Sequence, residues 1–201
     1  MTESTLSIRF WGVRGSIPSP GPDTVVVGGN TSCIEVRAGG SRIVLDAGSG
    51  LRALGDALLA SGEHRDTTIL LSHVHWDHVM GIPFFAPLYI PGTRIRFASG
   101  SHGAPLRDLL RRQMSAPMFP VDLDRVGAEI TCTELADGQR ATFGDLTVET
   151  ARLNHPDPVY AYRLEHAGRS VVFATDTEHF ACVDPRLARL AKNADLLIYD
   201  A

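Results

Sequence analysis

The stretch Thr67-Thr68-Ile69-Leu70-Leu71-Ser72-His73-Val74-His75-Trp76-Asp77-His78 decides how this chain is read. Residues 67–72 form a continuous run of strand length, the pattern of a strand buried on both faces. Three imidazoles and one carboxylate then fall within six residues. A packed core does not want them, and a surface turn does not need them. Loops at strand ends are where chemistry is mounted on a rigid scaffold. Imidazole nitrogen and carboxylate oxygen suit zinc, iron or manganese. His73 and His75 are two residues apart and can point the same way while the backbone is extended. If the chain turns into a helix after Trp76, Asp77 and His78 swing toward a second position, so one cluster can feed two adjacent metals.

Two metals need further ligands. His155 in Asn154-His155-Pro156 and Asp176 in Thr175-Asp176-Thr177 each lie just past a predicted strand. Outward from the central stretch, Gly48-Ser49-Gly50 leads into Leu51, Leu54, Leu58 and Leu59 at helical spacing, with Ser61-Gly62 as the stop. Segments 33–38 and 42–46 flank Gly39-Gly40 as a hairpin, and 6–11 reads as a first strand. The Gly- and Pro-rich segment 12–29 reads as a long irregular loop, a length at which loops often carry function. Strands are expected over 94–98, 129–134, 146–152, 159–165, 170–174 and 195–199. Helices are expected over 105–114 and 184–192, the second with Asp184 as N-cap and Pro185 at its first position. Arg107, Arg111 and Arg112 read as a solvated helix face rather than a phosphate-steering patch. The pattern predicts mixed α/β layers, not a clean βαβ repeat.

Composition sets the outer limits. The chain has 201 residues, 44% of them hydrophobic, enough for a core without disulfide or metal staples. Nineteen Lys+Arg against 23 Asp+Glu give a net charge of −4, which excludes a disordered polyelectrolyte and argues against a dedicated nucleic-acid coat. Cys33, Cys132 and Cys182 are odd in number and widely spaced, so neither a disulfide framework nor a cysteine zinc knuckle is expected. Met1-Thr2-Glu3-Ser4-Thr5 has no basic or apolar signal region, and no run reaches membrane-span length. The expected location is the cytoplasm, without a membrane partner.

His-x-His-x-Asp-His after an apolar strand, followed by a lone histidine and an aspartate at strand ends, resembles the metallo-β-lactamase superfamily. The resemblance covers most of the chain. Phe10-Trp11-Gly12-Val13-Arg14-Gly15-Ser16, Gly29-Asn30-Thr31-Ser32 and Leu45-Asp46-Ala47-Gly48 match one branch, as do Pro83-Phe84-Phe85, Asn154-His155-Pro156 and Ala174-Thr175-Asp176. That branch includes phosphodiesterases akin to tRNase Z and cyclic-phosphate hydrolases. The resemblance implies a four-layer αβ/βα sandwich with its site at one edge of the sheets. It implies two divalent metal ions, zinc in the first place and manganese or iron as alternatives. His73, His75 and His155 would hold one metal, Asp77 and His78 the other, with Asp176 bridging. Asp46 would brace the metal loop through hydrogen bonds.

The chain departs from that pattern at its end. The family places one more ligand histidine on a loop after the strand that here would be 196–199, and the sequence stops at Ala201. Residues 1–201 are therefore expected to form a single domain lacking its last helix and strands. The second metal is expected to be held more weakly and to leave first to a chelator. The implied activity is hydrolysis by a metal-activated hydroxide, most simply of a small-molecule phosphodiester. Asp77 would orient the hydroxide, and His179 or Glu178 would protonate the leaving group. Antibiotic hydrolysis is disfavoured by the missing signal peptide, and nucleic acid by the net charge. A thioester or lactone hydrolase and a non-catalytic or redox metal module are the alternatives, and a homodimer is the candidate assembly.

Overall fold

A computed structural model describes residues 5–178 and 180–200. The first sheet contains β1 (Leu6–Gly12), β2 (Cys33–Ala38), β3 (Ser41–Leu45), β4 (Asp66–Leu70), β5 (Arg94–Ser99) and β6 (Glu129–Glu134), side by side in that order. Its first three strands are antiparallel, and β3 to β6 run parallel. The second sheet contains β7 (Arg140–Phe143), β8 (Leu146–Leu153), β9 (Val159–His166), β10 (Arg169–Ala174) and β11 (Leu196–Tyr199), in the order β11-β10-β9-β8-β7. Only the β10–β11 pairing there is parallel. Helices α1 (Gly50–Ser61), α2 (Trp76–Val79), α3 (Leu106–Gln113) and α4 (Pro185–Ala191) complete the described elements.

The apolar pattern explains the layering. In β4, Ile69 joins the cluster that contains Leu51, Leu54 and Leu58 of α1 and Leu106 and Leu110 of α3, while Leu70 joins the cluster shared by the two sheets. Both faces of the strand are covered, so its sequence does not alternate. Val148, Tyr162, Leu164, Val171 and Phe173 fill the sheet-to-sheet core from the other side. Ala151, Leu153, Val172 and Ala174 face outward onto Leu187 and Leu190 of α4. The result is the four-layer αβ/βα sandwich implied by the resemblance. Each fully buried leucine or isoleucine contributes about 1.5–3 kcal/mol. Helix α1 ends where expected, at Gly62, whose positive φ of 73° carries its N–H back to the carbonyls of Leu58 and Leu59.

Two elements differ from expectation. Strand β7 was not anticipated, because Arg140-Ala141-Thr142-Phe143 is an edge strand with one apolar anchor, the buried Phe143. The 12–29 loop is not wholly irregular: Pro22–Thr24 form a 3-10 turn and Arg14 bridges Thr31. The arginines of α3 do form a solvated face. Arg107 and Arg111 both pair with Asp124, and Arg111 also with Asp108. Among the described residues no helix is long and apolar enough to cross a membrane.

The two sheets share one functional edge. The Asp46 N–H donates to the Leu70 carbonyl, closing the ends of parallel β3 and β4 at 2.9 Å. The Tyr160 N–H donates to the Ser72 carbonyl at 2.9 Å, which ties the start of β9 to the end of β4. Residues just past β3, β4, β8 and β10 therefore meet.

Candidate metal centre

The segment after β4 stays extended through His75, whose φ and ψ are −64° and 154°, and then turns into the short helix α2. This sends His73 and His75 one way and places Asp77 and His78 on the helical turn. The rings of His73, His75 and His155 lie 4.5–5.0 Å apart, centre to centre, and those of His73 and His78 lie 4.2 Å apart. Two groups of ligand atoms converge, each within 4.8 Å: His73, His75 and His155, and His73, His78 and Asp176. Asp77 comes in beside the second group, its Oδ2 3.2 Å from His78 Nε2. All six side chains singled out in the sequence are thus at one place. His73 alone belongs to both groups.

Asp46 sets the orientation. It is fully buried, and its positive φ of 59° is a conformation aspartate tolerates better than most residues. Its carboxylate accepts four hydrogen bonds: from Ser72 N at 2.7 Å, Ser72 Oγ at 3.0 Å, Ser32 Oγ at 3.1 Å and His78 Nδ1 at 2.7 Å. A carboxylate only accepts, so His78 carries its proton on Nδ1 toward Asp46. The Ser72 hydroxyl, having given its proton to Asp46, accepts from His73 Nδ1 at 3.0 Å. Both histidines then present Nε2 to the interior.

Those two Nε2 atoms are buried and have no hydrogen-bond partner among the described residues. His78 Nε2 is 3.0 Å from Asp176 Oδ2 as well as near Asp77, yet neither contact has the alignment of a hydrogen bond. An unpartnered buried polar atom costs about 1–3 kcal/mol. Imidazole nitrogens and carboxylates converging on one point, without aligned hydrogen bonds between them, are the donor set of a divalent cation once the His78 proton has left. The residues present fit a metal.

The electrostatics agree. Burial, and then the neighbouring His78, push His73 down to about 4, so it is neutral at physiological pH. Burial opposes charge on His78 too, but Asp46, Asp176 and Asp77 outweigh it and push the group up to about 12. Contact with His78 and the Ser16 N–H hold the Asp77 carboxyl down to about 2 despite its burial. Burial would raise Asp176, but His78 wins and holds it well below the usual carboxylate range. In the metal-free chain His78 keeps a proton that a cation must displace. Affinity at that position should rise with pH, roughly tenfold per unit between about pH 6 and 8 for one displaced proton. Calorimetry in two buffers of different ionisation heat reads this directly; uptake without proton release would contradict it.

Several positioning residues escaped the sequence reading. Asp157 Oδ2 lies 2.9 Å from His75 Nε2, and the Asp157 carbonyl lies 3.1 Å from His155 Nδ1. One residue thereby engages one nitrogen of each ring and leaves His75 Nδ1 and His155 Nε2 free. The Ser16 N–H donates to Asp77 Oδ2 at 2.8 Å, and Thr31 Oγ1 donates to the Asp77 carbonyl at 2.7 Å. Beneath them, a side chain on Gly48 would meet that same carbonyl at 2.4 Å. The Asp176 N–H donates to Asp200 Oδ2 at 3.1 Å, holding another aspartate with positive φ, 52°. Asp157 next to His155 was the one signal within reach of sequence; the others depend on distant chain crossings. Asp157→Ala is expected to weaken metal binding about 10–100-fold, as loss of such orienting partners does. Competition against a chelator of known affinity measures this, and unchanged affinity would refute the role.

His179, expected to be catalytic, lies outside the described residues. Glu178 is exposed and borders a cleft of about 360 Å³ that His155 also lines. A larger concavity at the opposite end of the sheets is floored by paired groups such as Arg42, Asp66 and Arg94, and holds none of the convergent histidines.

Residues 41–201 match the family described as the Beta-lactamase superfamily domain. Ribonuclease Z of Natronomonas pharaonis is 26% identical over 98% of this chain, which spans 75% of that relative's length. Among solved structures, the metallo-beta-lactamase fold protein YhfI of Bacillus subtilis superposes with a TM-score of 0.68, at 18% identity over 96% of this chain and 69% of its own. A diphosphatase described as belonging to the PhnP family superposes with a TM-score of 0.66, at 16% identity over 96% of this chain and 73% of its own.

Proposed function

The chain belongs to the β-lactamase superfamily and is a metal-dependent hydrolase, and from that premise we propose that it cleaves a small phosphodiester using two divalent cations, zinc first among them. The observation that carries this reading is the pair of buried Nε2 atoms of His73 and His78, which have no hydrogen-bond partner among the described residues and converge beside the Asp77 and Asp176 carboxylates. His73, His75 and His155 would hold one cation, and Asp77 and His78 the other, with Asp176 between them. Divalent cations so held supply Lewis acidity and lower the pKa of a coordinated water from about 15.7 to about 7.

The chain's own groups do the rest. Asp46 fixes which nitrogen of His78 carries the proton, and Ser72 relays the same constraint to His73. Asp77, with one oxygen fixed by the Ser16 N–H, orients the attacking water. His179 and the exposed Glu178 are the candidates for protonating the departing alkoxide. The relative named Ribonuclease Z supports phosphodiester chemistry and gives RNA processing as the second reading. The net charge of −4 favours the small substrate.

Turnover of bis-p-nitrophenyl phosphate by the full chain, with added zinc or manganese, tests the proposal. Metal-dependent release of p-nitrophenol that is lost in His75→Ala is the expected result. No turnover with either metal would overturn it and favour a binding or redox module. Cleavage of a precursor transfer RNA, with bis-p-nitrophenyl phosphate untouched, would favour the RNA reading.

A further inference from the structure

The turn between β8 and β9 carries two groups of the metal position built from His73, His75 and His155. His155 belongs to that position, and Asp157 orients His75. The β8–β9 ladder ends at the pair Leu153 and Val159, so residues 154–158 stand beyond it. Pro156 and Pro158 have no N–H to give, which leaves the turn short of backbone bonds of its own. Its height over the first sheet depends on props from elsewhere in the chain.

The loop after β5 supplies one. The Tyr160 ring lies directly on Gly100, in space that a Cβ there would fill. The Tyr160 hydroxyl donates to the Ser101 carbonyl at 3.1 Å. The half-buried His102 ring meets the Tyr160 ring edge to face, with 5.6 Å between centres and an angle of 89°. His102 Nε2 lies 2.7 Å from Ser99 Oγ at the end of β5, and the Pro158 carbonyl favours a proton on the same ring. The Tyr160 N–H is itself tied to the Ser72 carbonyl, next to His73. His102 thus engages the end of β5, the clamped ring of β9 and the last residue of the turn, and it belongs to neither group of convergent ligand atoms.

We propose that His102 is a positioning residue for this metal position, holding the turn where His155 and Asp157 meet His73 and His75. The proposal rests on the metal-dependent reading above and adds a determinant of metal affinity from outside the ligand set. An imidazole suits the task because it offers a ring to Tyr160 and a polar nitrogen to Ser99 at once.

Zinc competition against a chelator of known affinity, on the full chain, tests it. His102→Phe keeps a ring against Tyr160 and leaves the Ser99 hydroxyl the Leu71 carbonyl, 2.7 Å away, so the fold should hold and the melting temperature should match the wild type. One of the two zinc equivalents should weaken about tenfold, the lower end of the range for orienting partners, while the other keeps its affinity. His102→Gln, whose amide reaches where Nε2 stood, should recover most of the loss. In the cobalt-substituted chain the visible bands should shift in His102→Phe and return in His102→Gln. Should His102→Phe melt early, His102→Asn, whose shorter amide falls short of Ser99, carries the same test. Unchanged affinity, equal loss from both equivalents, or no recovery in His102→Gln would overturn the proposal. A wild-type chain that takes up no zinc overturns the metal reading as well, whereas two equivalents in the wild type and in an unmoved His102→Phe remove the role of His102 alone.

Discussion

Asp46→Ala is expected to lower stability by about 3 kcal/mol or more and metal affinity by about 10–100-fold. The first effect follows from burial. Ser72 N, Ser72 Oγ, Ser32 Oγ and His78 Nδ1 all give their protons to this one carboxylate, in a place closed to solvent. Alanine leaves four donors without an acceptor, and each unpaired buried group costs about 1–3 kcal/mol before any water enters the space. In a chain of this size the melting temperature should fall by roughly 10 °C. The second effect follows from orientation. Without Asp46, nothing fixes the tautomer of His78, and Ser72 no longer aims the ring of His73. Asp46→Asn keeps the volume but sets an N–H₂ against these donors; it should lose both stability and metal, which loss of volume alone would not do. Thermal melts and chelator competition on both variants measure this, and near-wild-type values for both would show that Asp46 is only packing.

His73→Ala is expected to cost more metal than His155→Ala. The reason is geometric. His73 is the residue common to the two convergent groups, and its ring sits 4.2 Å from that of His78 and 4.5–5.0 Å from those of His75 and His155. His155 enters only one group. Elemental analysis after dialysis should give less metal for His73→Ala than for His155→Ala. Hydrolysis should fall to background in the first variant. Equal metal content in the two variants would mean that His73 does not join the groups.

Much of this site could be read in advance because its ligands are written into strand ends. The apolar run before His73 marked a buried strand, and the two-residue step to His75 needed only extended backbone to face both rings alike. The leucine spacing of α1 and the Gly39-Gly40 hairpin were legible for the same reason: each is a local pattern. What was not legible depends on chain crossings. Ser16 reaches Asp77 across 61 residues, and Asp157 reaches His75 across 82. Asp200 meets Asp176 only because β11 lies parallel to β10. Strand β7 was missed because an exposed edge needs little apolar sequence.

Zinc-edge anomalous diffraction from crystals of the zinc-loaded chain reads directly which side chains hold the cations. Two peaks are expected, one among His73, His75 and His155 and the other among Asp77, His78 and Asp176. Zinc bound elsewhere, or no peak at these six side chains, would contradict that assignment.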